Sequence, residues 1–119
     1  MMDMQKYVMQ TLEGIGVPIS YVARGESRLP LIVFNVTNER GNMFWDDEET
    51  VIHWQVQINI FSTGNFVDLK NEIKNRMLKA GFIRTEITSA IYLEDIEVFN
   101  QPMAFDFYEE INEISEDED

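Results

Sequence analysis

Cysteine is absent from the 119 residues. That excludes disulfides, thiolate nucleophiles and thiolate metal sites, and it gives no sign of an oxidising compartment. Histidine is represented by His53 alone, so no histidine pair, histidine–carboxylate metal cluster or Ser-His-Asp triad can be assembled from conventional parts. Basic residues are few, 9 against 22 acids, for a net charge of −13. Affinity for nucleic acid rests on cationic contacts to phosphate, so no sequence-specific DNA or RNA binding is expected. No run approaches the ~20 apolar residues of a membrane span. The start, Met1-Met2-Asp3-Met4-Gln5-Lys6, has neither the basic nor the apolar part of a signal peptide, so the expectation is synthesis in the cytoplasm. No Gly/Ser linker and no internal repeat divides the chain.

What is present suffices for one core. Hydrophobic residues make up 45% and aromatics 12%, unlike the polar, aromatic-poor composition of a disordered protein. The expected organisation is one domain over residues 1–112 and an acidic, disordered tail over 113–119. Eleven acids lie in two places, Asp46–Glu49 and the positions from Glu109 to Asp119, and without them the remainder carries only −2. Five of the nine bases, Lys70, Lys74, Arg76, Lys79 and Arg84, fall within fifteen positions. Such polarity suits head-to-tail association, although solubility alone explains it equally well.

Periodicity supplies the elements. Met4, Val8, Leu12 and Ile15 recur at helical spacing, so residues 3–13 are expected as a helix, ended by Gly14 and Gly16 and stopped by Pro18. Residues 19–23 alternate weakly as a short strand. Leu31–Val36 is almost wholly apolar, a strand buried on both faces. Ile52, Trp54, Val56, Ile58 and Ile60 alternate with His53, Gln55, Gln57 and Asn59, the pattern of a strand with one face in the core. Glu39–Thr50, between these strands, is expected as a polar loop. Phe66, Leu69, Ile73, Met77 and Ala80 form the stripe of a second helix, with Asn65 as N-cap and Gly81 as stop. Phe82–Leu93 and Met103–Ile111 are expected as two more strands joined through Asn100-Gln101-Pro102. The fold class is therefore α+β: a mainly antiparallel sheet of four to five strands with two helices packed on one face.

A search for chemistry returns little. His53 occupies a polar position of an alternating strand, as an ordinary surface or interface residue does. Asp46-Asp47-Glu48-Glu49 lacks the ligand spacing and turn glycine of a calcium loop, so a solvated run is preferred to a cation site. Glu94, Asp95 and Glu97 have no neighbouring nucleophile or base motif. No catalytic, metal-binding or cofactor-binding residue is assigned, and no enzyme activity is expected. Two features suit contact with protein. Met43-Phe44-Trp45 places apolar side chains in a polar stretch, where they either fold back on the core or meet a partner. Gln55, Gln57 and Asn59 give a strand face of uncharged amides, either wet or part of a polar subunit interface.

The order of these elements is similar to that of the tail-completion, or tail-terminator, proteins of long-tailed phages. The resemblance runs over residues 4–112. An N-terminal helix is followed by Pro18-Ile19-Ser20-Tyr21 and by Leu29-Pro30-Leu31-Ile32-Val33-Phe34. The stretch His53-Trp54-Gln55-Val56-Gln57-Ile58-Asn59-Ile60-Phe61-Ser62 resembles the family's long strand leading into its main helix. Ala90–Asp95 and Met103–Phe107 resemble its closing strands. These are patterns of core residues rather than a signature, and the acids after Asn112 have no counterpart in the family pattern.

The resemblance implies a virion protein of a phage or prophage, placed at the head–tail interface. It implies self-association into a ring, typically a hexamer, which ends tail-tube polymerisation and presents a docking surface to the head connector. The partners implied are further copies of the chain, the tail-tube protein and a head-closure or connector protein. Candidate interface residues under this reading are Met43, Phe44, Trp45, Asp46, Asp47, Gln55, Gln57, Asn59, Lys70 and Lys74, and an acidic lumen would keep passing DNA from the wall. The alternatives are a head-side connector ring and, from another class, an acidic DNA-mimic or immunity-type inhibitor.

Overall fold

A computed structural model describes residues 1–23, 28–43 and 46–112, and the side chains of residues 40–50 and 112 fall outside that description. Two helices and six strands follow in the order α1 (Met4–Leu12), β1 (Ile19–Tyr21), β2 (Leu31–Met43), β3 (Asp46–Ser62), α2 (Val67–Lys79), β4 (Ile83–Ile87), β5 (Ile91–Leu93) and β6 (Val98–Asn112). The strands form one sheet in the order β1-β2-β3-β6-β4, and β5 also pairs β6. All pairings are antiparallel except β1 with β2. The α+β class and the mainly antiparallel sheet agree with the expectation, with six strands in place of four to five.

The core lies between the helices and one face of the sheet. Met4, Val8 and Leu12 of α1 and Ile73 and Met77 of α2 pack with Ile32 and Phe34, with Ile52 through Ile60 at alternate positions, and with Met103 and Phe105. Alternation in β3 puts five apolar side chains on this face and leaves the amides on the other. Leu31–Phe34 is buried on both faces, while Asn35 and Val36, the end of the expected run, are half-buried.

Each helix end has an identifiable cause. Asp3 caps α1 by accepting the Lys6 N–H at 3.1 Å. The chain leaves α1 through Gly14 at φ +79°. At α2 the cap position is Phe66 rather than Asn65, although the Asn65 side chain still accepts the Val67 N–H at 2.9 Å. The end of α2 is a Schellman motif: Phe82 N–H donates to Met77 and Gly81 N–H to Leu78, with Gly81 at φ +100°. A side chain at Gly81 would also meet the Phe107 ring at 3.3 Å, so two constraints coincide there.

Three expectations are corrected. Glu39–Met43 and Asp46–Thr50 are strand rather than loop: β2 continues to Met43 and β3 begins at Asp46, paired directly through Met43 and Asp46, with a register shift beyond Asn42. Loop and strand differ here only by cross-strand hydrogen bonds, which polar composition does not reveal. Phe82–Leu93 is two strands, because β4 pairs with β6 at Met103–Asp106 and β5 with β6 at Val98–Asn100. Asn100-Gln101-Pro102 is not a linker but part of β6, near its start. Proline has no N–H to give a ladder, and Pro102 stands where β6 has no strand partner on one side, between the ends of β4 and β5.

The sheet is long. At about 3.3 Å per residue, the 17 residues of β3 account for the molecule's 55 Å length. β2 leaves the core at Val36, and Thr37, Asn38 and Glu39 are exposed, while the β2–β3 pairing continues past Ile52, the last described buried residue toward that end of β3, to Met43 and Asp46, with β6 alongside as far as Asn112 opposite Glu49.

Candidate functional site

The sheet face turned away from the helices is the most distinctive surface. Antiparallel pairing sets residues opposite one another on a common face, so the register assembles it: Asn35 opposite Gln57, Thr37 opposite Gln55 and Glu39 opposite His53. Across β3, Gln55 faces Asp106, Gln57 faces Ala104, Asn59 faces Pro102 and His53 faces Tyr108. Ile83 and Glu86 of β4 lie opposite Asp106 and Ala104, separated by a bulge at Thr85. At the start of β2, Leu31 and Val33 on this side are buried, so the accessible part of the face begins at Asn35. There the surface dips into a trough of about 360 Å³ lined by Asn35, Thr37, Gln55, Gln57, Thr85 and Asp106 among others. A second hollow adjoins it at Glu86, Thr88 and Pro102.

Asp106 is the residue that alternation alone does not explain. A carboxylate on the polar side of β6 belongs in water, yet Asp106 is only 8% exposed. Nε2 of His53 lies 3.2 Å from Oδ1 of Asp106, close enough for an ion pair with a protonated imidazole but without the alignment of a hydrogen bond. The imidazole stacks on Tyr108 with ring centroids 4.6 Å apart and planes inclined by 12°. Among the described residues, three buried side-chain atoms have no hydrogen-bond partner: His53 Nε2, Asn100 Oδ1 and Asp106 Oδ1. Strand alternation places all three on this same face. Buried polar atoms are as a rule satisfied, so their gathering on one surface marks it.

The expected interface residues divide into three places. Gln55 and Gln57 are exposed and Asn59 half-buried on the amide face. Lys70 and Lys74 are half-buried on α2, across the sheet from those amides. Met43, Asp46 and Asp47 belong to the strands at the far end of the hairpin. Phe44 and Trp45 lie outside the described residues, as does the expected tail over 113–119. No single patch holds all of them. Asp106 and Asn100, which are not among the expected interface residues, join the amide face. Alternation within Met103–Ile111 already turns Asp106 away from Met103, Phe105 and Phe107, whereas the parity of Asn100 emerges only with Asn100–Pro102 inside β6.

Glu109 and Glu110 lie in β6, within the expected strand Met103–Ile111. Glu109 faces the helices, accepting the Trp54 indole N–H at 3.0 Å and the Met2 backbone N–H at 3.0 Å. Glu94, Asp95 and Glu97 are exposed in the turn between β5 and β6. No cluster of three or more metal-ligating side chains occurs among the described residues. No helix among them is long and apolar enough to cross a membrane. In comparisons with known proteins, the chain matches no family model and no curated protein.

Proposed function

We propose that this chain is a structural assembly protein of a long-tailed phage or prophage, which caps the tail tube, ends its polymerisation and forms the docking surface for the head connector. The observation that carries the reading is the long β2–β3 hairpin beside a sheet face of uncharged amides. Its pairing runs on to Met43 and Asp46, past the last described buried residue toward that end of β3, Ile52, a length suited to a neighbouring subunit or the tube end. The amide face supports the same reading, since a polar face of fixed geometry serves subunits that must also persist unassembled. The element order over residues 4–112 is the basis for naming the tail rather than another assembly.

The inhibitor alternative requires acids spread over a folded face at phosphate-like spacing. The acids instead concentrate at Asp46–Glu49 and beyond Tyr108, and the amide face carries few. Electron microscopy of the protein with purified tail tubes tests the proposal. A ring of density closing one tube end is expected. Bare tube ends at saturating protein, or stoichiometric binding to a nuclease instead, would remove it.

A further inference from the structure

Two surfaces on opposite sides of the sheet complement each other. One is the trough on the amide face, whose lining includes the carboxylate of Asp106 and, among the described residues, no lysine or arginine, with Glu86 in the adjoining hollow. Asp106 favours a donor there, because its Oδ1 makes no hydrogen bond, with only the misaligned His53 Nε2 3.2 Å away, and an unsatisfied buried acceptor is costly. Ile83, 55% exposed, stands at the edge of the trough opposite Asp106. The other is one shoulder of α2. Val67, Lys70, Lys74 and Leu78 recur at spacings of three and four and therefore share one side of the helix. Val67 and Leu78 are 50% and 44% exposed. Lys70 and Lys74 lie between them, and neither has an ion pair among the described residues. The shoulder thus offers two ammonium groups framed by apolar side chains, and the trough a carboxylate beside an exposed isoleucine.

We infer that the trough is the docking site for α2 of a second copy of this chain, with Lys74 of that copy entering beside Asp106. The occupant follows from charge complementarity: in a chain of net −13, the basic cluster is confined to the segment Lys70–Arg84, and the trough with its single carboxylate, Asp106, lies on the opposite side of the sheet. Because the two surfaces are different, the contact is heterologous: each copy offers α2 to one neighbour and its trough to the other, so the chain closes into a ring or runs on as a filament. At 1.5 Å per residue the 13-residue helix is about 20 Å long. One such contact is small, and association strengthens with concentration and with closure. The inference rests on the self-assembling part of the proposed function and not on the tail.

The absence of native cysteine makes the test clean. Two single-cysteine chains, Gln57→Cys in the trough and Asn71→Cys on α2, are mixed and treated with a short bis-maleimide, with and without tail tubes. Both positions are exposed, and melting curves check that each variant folds. A cross-linked dimer is expected in the mixture and not in either chain alone. Lys74→Glu in the Asn71→Cys chain should cut the yield about tenfold or more, as should Gln55→Lys in the other chain, and combining the two should restore it. Equal yields from the separate chains, indifference to Lys74→Glu, or no cross-link under any condition overturns the inference. Rings on tube ends without the cross-link leave the proposed function standing and remove the docking mode. The cross-link without capped tubes does the reverse.

Discussion

At the scale of single residues, two polar side chains inside the helix-covered half matter more than their composition suggests. Glu109 holds the Trp54 indole and the Met2 N–H, and Trp54 is only 5% exposed. Glu109→Leu strands that indole donor and should cost about 1–3 kcal/mol. Glu109→Gln keeps an acceptor and should recover most of the loss. Urea midpoints at constant m-value distinguish the two, and equal midpoints would show that the bonds contribute nothing net. Gln101, 2% exposed, donates at 2.7 Å to the Thr88 carbonyl in the gap between β4 and β5. Gln101→Leu leaves that carbonyl unpaired, and a destabilisation of about 1–2 kcal/mol is expected from thermal unfolding. Neither role was legible in the sequence. Each depends on a partner far along the chain, and one-dimensional spacing carries no information on which strand lies beside which.

At the scale of elements, the helices hold each other by reciprocal contacts at their C-terminal ends. The Tyr7 hydroxyl of α1 donates at 2.6 Å to the Ala80 carbonyl just past α2. Arg76 of α2 donates at 2.7 Å to the Glu13 carbonyl and at 3.4 Å to that of Thr11, at the end of α1. Terminal carbonyls lack intrahelical partners, and a guanidinium there also meets the negative end of the helix dipole. Tyr7→Phe and Arg76→Ala should each lower stability by about 1–2 kcal/mol while leaving helix content unchanged. Far-UV circular dichroism with chemical unfolding reads both quantities. Arg76→Lys should recover less than half, since an ammonium cannot span both carbonyls and Glu72; full recovery would reduce the contact to charge alone. Helical and strand periodicity marked α1, α2 and the alternating half of β3 in advance, because one-sided burial imprints a period on sequence. It did not mark the break at Thr88–Ala90 or the strand character of Asn100–Pro102, which are set by partners rather than by pattern.

At the scale of the molecule, the fold separates what stabilises from what reaches outward. On β3 the buried cluster ends at Ile52, with Ile111 of β6 packed against its edge, and the β2–β3 pairing continues beyond it to Met43 and Asp46. Replacing residues 43–49 with Asn-Gly, a favoured two-residue hairpin turn, closes the hairpin on the Asn42–Thr50 pair and keeps Thr50 opposite Ile111, so it should shift the melting temperature by only a few degrees. Under the proposed function the same variant should fail to cap tail tubes. Retained capping would remove the hairpin end from the mechanism, and a collapse in stability would show that it belongs to the core after all.

The sequence by itself determined the composition-level exclusions, the amphipathic helices and the face of β3 that enters the core, because these follow from the side chains of contiguous residues. Only the tertiary structure decided that Asp46–Glu49 lies in a strand, that Glu109 is an internal acceptor, and that His53, Asn100 and Asp106 share one face. Those outcomes come from cross-strand register between segments tens of residues apart, where a shift of one position would turn every side chain to the other side of the sheet.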